Sequence, residues 1–424
     1  MVKEPSGFKD QTSRRKVNPW ILKFETWRFG HPAQFEMLSH PPKPSVASYV
    51  SDFLKPDMQH IYRQITGLKE VTPWVLTHKR ENAAAFPFPE KRLIVLPRPR
   101  LRAWRRFVAR QVRHAPWQIY RWELRRMLLE LVRSEARVLH IYFGHIAAHL
   151  LPLIKVWPHP VVVSFHGADA GVGLGEANQL AALRQVFQHA ALIQARSESL
   201  LRDLAQLGCP EEKLHLQRTG IPLREWVFAP REAPAAGDWT ILQSCRLIEK
   251  KGLDLTLRSF AEISKTFPSA KLVVAGDGPL RADLEKLAGE LGVAARTRFT
   301  GFLAQEALRE EVRGAHLFVH PSRTTADGNR EGVPNSMLEA MASGAVVIAT
   351  RHGGIPEAVT DSESGLLAAE NDAVALAQAM LRVMQSRDLL TRLSQGGRSA
   401  VEERFDAQKN LRGLEGCYLG LMKS

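Results

Sequence analysis

Two glutamates eight positions apart, Glu331 and Glu339, flank a segment suited to holding an anion. Pro334 favours the first turn of a helix, which predicts a helix over residues 335–342. The N–H groups of that first turn would be free to bind a phosphate. Glu339 would lie roughly 7.5 Å along the axis, at about 1.5 Å per residue, leaning back toward a ribose on that phosphate. The residues assigned to this site are Pro334, Asn335, Ser336, Met337, Leu338 and Glu339, with Glu331 facing the opposite end of the ligand.

Two cations follow an apolar run that predicts a strand. Arg246 and Lys251 lie in the segment Arg246-Leu-Ile-Glu-Lys-Lys-Gly252, whose glycine opens a predicted helix. Positive charges on such a loop can neutralise a diphosphate and the charge that it gains on leaving. A basic surface turn is the alternative interpretation of these residues alone, as an ordinary helix cap is for the two glutamates. The combination of both features indicates a diphosphate site.

Two further turns follow predicted strands. Gly276 and Asp277 begin a Gly-Asp-Gly-Pro turn, which fits a tight turn under a ligand or plain turn chemistry. His166 follows the run Val161–Phe165 and precedes a flexible glycine, so it is placed to face a cleft. A histidine with a purely structural role is the alternative interpretation.

Apolar runs alternate with helical patterns along the second half, which predicts a parallel sheet with right-handed crossovers. The predicted strands there are 240–247, 271–275, 298–303, 317–321 and 345–350, and the predicted helices are 253–267, 280–291, 305–315 and 336–342. The first half repeats this alternation less regularly, with strand candidates at 45–50, 74–77, 93–96, 138–143, 161–165 and 192–195. The Pro/Ala-rich stretch 228–238 is interpreted as the linker between two Rossmann-like domains. Ligands in such sheets lie at the carboxyl ends of the strands.

Composition bounds the class of protein. A chain of 424 residues with 45% hydrophobic and 24% charged residues predicts a globular protein of two domains. It contains no run of 18 apolar residues, which argues against a spanning helix, and no apolar region follows the basic start, so we expect no secretory signal. The three scattered cysteines have no metal-ligand spacing and indicate a reducing compartment.

The net charge of +14 is carried entirely by the first half. From Asp238 onward there are 23 basic and 24 acidic residues, which leaves 35 basic and 20 acidic residues before it. Residues 91–126 hold one Lys and eleven Arg against a single acid, Glu123, with Trp104, Trp117, Trp122 and Tyr120 between them. Arg and Trp together favour contact with an anionic membrane surface. A solvated basic helix is the alternative; we expect no nucleic acid, because no recognition motif accompanies the charge.

Taken together, these motifs resemble glycosyltransferase family 4 on the GT-B fold, closest to bacterial exopolysaccharide or colanic-acid-type transferases. The resemblance is strongest over roughly 240–405, weaker over 136–222 and faint before that. The family's Glu-x7-Glu signature matches Glu331 and Glu339, and its diphosphate-binding Arg and Lys match Arg246 and Lys251. Its His-Gly-x-Asp turn matches His166 and Asp169, which implies an acceptor-side role for Asp169. Phe302, in Thr-Gly-Phe, matches a donor position. Many members have a glycine-rich loop after the first strand; the corresponding residues 52–56 lack glycine, so no site residue is carried over from it.

The resemblance implies two Rossmann-like domains facing across a cleft. An N-terminal extension (1–44) would precede an acceptor domain (45–230) and a nucleotide-sugar domain (231–405), and a helix within 406–424 would return toward the acceptor domain. The reaction implied is a retaining, metal-independent transfer from a UDP- or GDP-linked sugar to a saccharide or lipid-linked acceptor. Catalytic roles fall to His166, Arg246, Lys251 and Glu331, no cofactor is implied, and the nucleotide sugar is a co-substrate.

We expect a cytoplasmic protein attached peripherally to the inner face of the membrane through the Arg-rich segment. Two other classes of function stay open at this point. A sugar-nucleotide epimerase of the same fold would need acid–base carboxylates in the first half, and none can be named there. A non-catalytic binding protein is disfavoured by the presence of Arg246, Lys251, Glu331 and Glu339 together.

Overall fold

The protein is described here from a computed structural model. It describes residues 43–55, 58–99, 101–109, 117–167, 177–326, 328 and 331–423. Nearly all of the predicted N-terminal extension, residues 1–44, lies outside these ranges. From Pro44 onward the chain forms one compact unit.

The first half folds around a parallel sheet of seven strands in the order β5-β3-β1-β6-β7-β8-β9. Its strands are β1 Ser45–Tyr49, β3 Thr72–Thr77, β5 Leu93–Val95, β6 Ala136–Tyr142, β7 Val161–Phe165, β8 Leu192–Ala195 and β9 Leu214–Leu216. Two short strands, β2 Asp52–Phe53 and β4 Lys79–Arg80, pair beside it. All six predicted strands are present, and the last strand, Leu214–Leu216, is an addition that the sequence pattern did not reveal. Three partly buried residues carry too little periodicity to predict a strand.

The second half folds around a parallel sheet of six strands in the order β12-β11-β10-β13-β14-β15. Its strands are β10 Thr240–Ser244, β11 Lys271–Ala275, β12 Thr297–Gly301, β13 Leu317–His320, β14 Val346–Thr350 and β15 Leu366–Ala368. β14 is buried along its whole length, as expected for a strand covered on both faces. The five predicted strands of this half are confirmed within a few residues at their ends.

Helices pack on both faces of each sheet. In the first half they are Gln59–Thr66, Arg102–Phe107, Arg121–Arg133, Gly144–His149, Leu151–Val156, Ala177–His189 and Glu198–Gln206. In the second half they are Leu253–Thr266, Arg281–Glu290, Gln305–Gly314, Asn335–Ser343, Ile355–Ala358, Ala373–Met384, Arg387–Arg404 and Ala407–Leu421. Each sheet has its own apolar core, so the prediction of two Rossmann-like domains is confirmed.

The stretch 228–238, predicted as the interdomain linker, lies on the C-terminal domain instead. The Arg231 side chain is buried there and donates to the carbonyl oxygens of Ala315 and Val312, at 2.7 and 3.0 Å. The chain passes between the domains earlier, where the Ile221 N–H donates to the Phe405 carbonyl at 2.9 Å. The Pro/Ala-rich composition suggested a linker, but a buried arginine that finds carbonyl partners anchors the segment to one domain.

The last helix, Ala407–Leu421, packs against the sheet of the first half. Leu414 and Tyr418 are fully buried in a cluster with Val46 and Val138 of that sheet. The hydroxyl of Tyr418 lies 2.6 Å from Nδ1 of His140. The C-terminal segment therefore covers one face of the N-terminal domain.

Candidate functional site

The turn that carries Lys251 is shaped by a glycine. A 3-10 turn over Glu249–Lys251 ends at Gly252, whose φ of 60° and ψ of 34° are left-handed. A Cβ atom at Gly252 would lie 2.0 Å from the carbonyl oxygen of Pro321, so only glycine lets this turn pack against the end of β13. Gln243 Nε2 donates to the Lys251 carbonyl at 2.9 Å. Lys251 is thereby held beside the loop that follows Pro321.

Lys251 and Glu331 form an ion pair. Lys251 Nζ donates to Glu331 Oε2, and Lys250 Nζ lies 3.9 Å from the same oxygen. The side chains of Lys251 and Glu331 are only 13% and 14% exposed. Burial by itself raises the pKa of Glu331, but the positive charges around it, Lys251 foremost, outweigh burial and lower that pKa. Glu331 is therefore a carboxylate at neutral pH, and a diphosphate that binds Lys251 must compete with this pair or share it.

His320 lies beside this ion pair at the end of β13. Its side chain is fully buried, and its ring is nearly parallel to that of Phe318, with centroids 6.2 Å apart. Burial lowers the pKa of His320 to about 3. The imidazole is therefore neutral and adds no charge to the site.

The helix Asn335–Ser343 has Pro334 as its N-cap residue and ends one residue beyond the predicted end. Its first internal hydrogen bond runs from the Leu338 N–H to the Pro334 carbonyl at 3.2 Å. The prediction that the Leu338 amide is free is therefore wrong, because the helical ladder starts there. Among the described residues, no acceptor pairs with the amides of Asn335, Ser336 and Met337, and these are the groups that an anion could use.

The side chains of this first turn do not all face a ligand. Met337 and Leu338 are 0% and 2% exposed and belong to the core, so Met337 can contribute only its backbone. The Ser336 hydroxyl donates to the Ser244 carbonyl at 2.9 Å. That bond ties the start of the helix to the carboxyl end of β10, next to the loop of Arg246.

Glu339 lies on the same helix, and among the described residues it has no counter-ion as close as that of Glu331. Burial raises its pKa to about 7, with Arg63 and Arg309 opposing that shift and Glu225 adding to it. A carboxyl group with a pKa near neutrality in a cleft is typical of a functional site. Its location is compatible with the predicted contact to a ribose.

Three charged residues near Glu339 were not predicted from the sequence: Arg63, Glu225 and Arg309. Arg63, on the helix Gln59–Thr66 of the first half, lies 3.6 Å from Glu225, and Arg309 pairs with the same carboxylate. Gln59 Nε2 also lies 3.4 Å from Gln305 Oε1. These contacts join the two domains across the cleft. No local pattern distinguishes such surface charges from solvated ones, so only the fold reveals them.

The remaining donor-side residues lie at the ends of β10, β11 and β12. Arg246 is exposed, and none of the ion pairs found in the described ranges includes it. Gly276 has a φ of 137°, and a Cβ there would lie 1.9 Å from the Cys245 carbonyl oxygen, so this glycine is needed for strand-end packing. Asp277 is exposed and accepts the Gly278 N–H at 2.7 Å. Phe302 is 84% exposed, which leaves its ring available to a base.

On the first-half side of the cleft, His166 lies against a second histidine. His60 Nε2 is 3.3 Å from His166 Nδ1, and His166 Nε2 is 3.1 Å from the Ser164 hydroxyl. Burial lowers the pKa of both histidines, and Arg196 lowers each further. Both are therefore neutral near pH 7 and suited to hydrogen bonding with hydroxyls. His60 was not predicted, and Asp169 lies outside the described residues.

Comparison with known proteins matches both halves of the chain to glycosyltransferases. Residues 60–225 match Glycosyltransferase Family 4, and residues 226–400 match Glycosyl transferases group 1. The chain is 30% identical over 277 residues to the colanic acid biosynthesis glycosyltransferase WcaL of Escherichia coli (strain K12), covering 65% of this chain and 68% of WcaL. It is 31% identical over 273 residues to the amylovoran biosynthesis glycosyltransferase AmsK of Erwinia amylovora, covering 64% of this chain and 67% of AmsK.

A third relative and one solved structure extend the comparison. The GDP-mannose-dependent alpha-(1-6)-phosphatidylinositol monomannoside mannosyltransferase of Mycolicibacterium smegmatis is 30% identical over 251 residues, covering 57% of this chain and 65% of the relative. The crystal structure of Anabaena HepE in complex with UDP superposes with a TM-score of 0.71 at 15% identity, covering 89% of this chain and all of HepE. Two α/β domains with parallel sheets, paired in this way, confirm the GT-B fold. The chain belongs to glycosyltransferase family 4.

Proposed function

We propose that the protein transfers a sugar, with retention of configuration, from a nucleoside-diphosphate sugar to a hydroxyl of a saccharide or lipid-linked acceptor. The observation that carries this proposal is the convergence of Lys251, Glu331 and the start of the helix Asn335–Ser343 at the carboxyl ends of neighbouring strands. A cation and free amides suit a diphosphate, and a carboxylate beside them suits sugar hydroxyls.

In the proposed reaction, the bond between the sugar C1 and the diphosphate oxygen breaks, and a bond from C1 to the acceptor oxygen forms on the same face. The departing diphosphate takes the proton of the acceptor hydroxyl, so atoms and charges balance. Lys251, Arg246 and the amides of Asn335 and Ser336 would stabilise the charge on the diphosphate. Among the described residues, no group of three or more His, Cys, Asp or Glu residues could hold a metal ion.

The proposed donor is a UDP- or GDP-linked sugar. HepE is described as binding UDP, and the mycobacterial relative is named for its dependence on GDP-mannose. The exposed ring of Phe302 could stack on either base, and Glu339 would hold the ribose. The names of WcaL, AmsK and the phosphatidylinositol mannosyltransferase favour a role in exopolysaccharide or glycolipid assembly.

A panel of UDP- and GDP-linked sugars tests the donor. We expect one sugar nucleotide to raise the melting temperature and to be hydrolysed slowly to nucleoside diphosphate and sugar. With an acceptor present, the anomeric configuration of the product, read by NMR, tests retention. Interconversion of sugar nucleotides without release of nucleoside diphosphate would contradict transfer and indicate an epimerase, whereas binding without any reaction would indicate a non-catalytic protein.

The surface proposed to meet an anionic membrane is the Arg-rich segment 91–126, of which residues 100 and 110–116 lie outside the described residues. Its last part begins the helix Arg121–Arg133, whose outward face extends the proposed surface. Trp122, Leu129 and Val132 are 45%, 39% and 53% exposed on this helix. Its acids, Glu123 and Glu130, are buried, and Glu130 pairs with Arg126 and Arg133 at 2.8 and 3.3 Å. Arg121 and Arg125 are exposed and belong to none of the ion pairs found among the described residues. On the preceding segment Leu101, Trp104 and Phe107 are 59–66% exposed. Among the described helices, none is long and apolar enough to cross a bilayer.

Charge reversal on this face tests membrane attachment. We expect the wild-type protein to sediment with vesicles that contain phosphatidylglycerol and much less with pure phosphatidylcholine. Because each arginine near an anionic surface contributes about 1 kcal/mol, Arg121→Glu with Arg125→Glu should weaken sedimentation at least tenfold by the same reasoning. The control changes an exposed arginine and an exposed valine of the other domain, Arg258→Glu with Val374→Ser, and should bind like the wild type. Equal failure of the wild type to bind both vesicles would contradict the proposal.

A further inference from the structure

Glu331 is held by its backbone as well as by its ion pair. The Glu331 N–H donates to His352 Nε2 at 2.8 Å. The Glu331 carbonyl accepts the Gly354 N–H at 3.2 Å. A Cβ atom at Gly353 would lie 2.1 Å from that same carbonyl oxygen, so the loop and the turn after β14 are in close contact. The peptide groups on both sides of the Glu331 Cα are therefore fixed, while its side chain points toward Lys251.

A second hydrogen bond fixes the orientation of His352. Its Nδ1 lies 2.9 Å from Glu370 Oε1, and its side chain is 1% exposed. Because the Glu331 amide can only donate, His352 Nε2 must accept, and the ring proton therefore resides on Nδ1 and is donated to Glu370. The bond to the carboxylate thus selects the tautomer that can bind the Glu331 amide.

Glu370 also binds the far end of the loop that carries Glu331. Its Oε2 accepts the Thr324 N–H at 2.9 Å. The Glu370 carboxylate, just after β15, therefore binds Thr324 directly and is linked to Glu331 through His352. Burial raises the pKa of Glu370, but its hydrogen bonds to the Thr324 amide and His352 lower it more, which keeps it a carboxylate.

We infer that His352 and Glu370 are positioning residues that hold Glu331 in register with the sugar of the donor. This inference rests on the proposed function and adds two residues to it. Neither side chain needs to touch the diphosphate, which Lys251, Arg246 and the helix amides would bind. Loss of His352 or Glu370 should therefore disturb the binding of the donor's sugar and leave the binding of its nucleoside diphosphate intact.

Substitutions of His352 separate its two hydrogen bonds. Glutamine can place an acceptor near the position of Nε2 and retain the bond to the Glu331 amide. Asparagine reaches only the position of Nδ1 and keeps the bond to Glu370. We expect His352→Asn and His352→Ala to lower kcat about 10- to 100-fold, as for a catalytic group displaced by about 1 Å, and His352→Gln to restore most of it. Binding of UDP or GDP alone, measured by calorimetry, should change less than threefold in all three variants.

Glu370→Ala should lower kcat as His352→Ala does, and its matched control is Glu363→Gln, an exposed glutamate just before β15. Wild-type kcat in His352→Asn would overturn the inference. Equal loss of nucleotide binding and turnover in both His352→Asn and His352→Gln would also overturn it, because that result indicates a role in folding alone. Failure of the wild-type chain to transfer sugar from any donor would instead refute the proposed function.

Discussion

Replacing Lys251 with alanine is expected to lower the rate of sugar transfer by two orders of magnitude or more. A loss of that size corresponds to about 3 kcal/mol of barrier and is reasonable for a cation that stabilises a departing diphosphate. Glu331→Ala should lose a similar amount, because the role proposed for this carboxylate is to bind the sugar and because it pairs with Lys251. Steady-state release of nucleoside diphosphate with a saturating donor measures both effects.

The same substitutions should have coupled effects on stability. Both side chains are less than 15% exposed. Removing Glu331 leaves Lys251 buried without its partner, and removing Lys251 leaves Glu331 buried with only the more distant Lys250, so each change lowers the free energy of unfolding. The double variant Lys251→Ala with Glu331→Ala should therefore be more stable than the sum of the single changes predicts. Urea titrations of the four proteins measure this coupling.

Arg246→Ala provides the matched control. Arg246 is exposed and belongs to the same loop, so its loss should weaken donor turnover without a change in the urea midpoint. Lys251→Arg keeps the charge and should retain more activity than Lys251→Ala. Near-normal turnover in either Lys251→Ala or Glu331→Ala would refute the assignment of the site.

Replacing Glu339 with glutamine is expected to stabilise the ligand-free protein at neutral and alkaline pH. Burial raises the pKa of Glu339 from 4.5 to about 7, so the folded protein binds a proton there more tightly than the unfolded chain does. Stability is therefore lost as pH rises from about 4.5 to about 7, by up to about 3 kcal/mol, and the loss is then constant. A glutamine side chain does not titrate, so the Glu339→Gln variant does not lose stability in this way.

The gain in stability of Glu339→Gln should appear only at pH values at which Glu339 of the wild type is ionised. We expect the urea midpoint of Glu339→Gln to equal that of the wild type near pH 4.5 and to exceed it at pH 8. An exposed glutamate, Glu403, supplies the control. The urea midpoint of Glu403→Gln should change between pH 4.5 and pH 8 by the same amount as that of the wild type. Equal stability of Glu339→Gln and the wild type at pH 8 would contradict the assigned pKa.

The same variant should bind the donor less well. A carboxylate that accepts from ribose hydroxyls contributes about 1.5–3 kcal/mol, so the KM for the sugar nucleotide should rise about 10- to 100-fold in Glu339→Gln at pH 8. For the wild type, KM should rise as pH falls below about 7, because protonation removes the charged acceptor. Greater stability with weaker binding is the pattern expected of a buried functional carboxyl group.

Much of the fold could be predicted because its signals are local. Buried runs such as Val346–Thr350 have no polar alternation, and each is followed or preceded by a helix with its own apolar face. This alternation specifies a parallel sheet wherever it occurs. The short strands Leu214–Leu216 and Leu366–Ala368 were not predicted, because three residues carry too little pattern.

The candidate site could be predicted only in part. Lys251 and Glu331 were singled out by residue type and by resemblance, although nothing in the sequence indicated that they pair with each other. Residues from distant segments, such as Arg63 beside Glu225 and His60 beside His166, have no local signal.

Sequence alone was enough to predict the class of fold, the family and the donor-side residue types. These depend on periodicity and on short motifs whose residues are close along the chain. Tertiary structure was needed to show which groups meet: the Glu331 carboxylate with Lys251, the Glu331 amide with His352 and through it Glu370, and Glu339 with Arg63 of the opposite domain. The reason is that the order of strands in a sheet brings the ends of distant segments to one edge, and that order is set by packing of the whole domain.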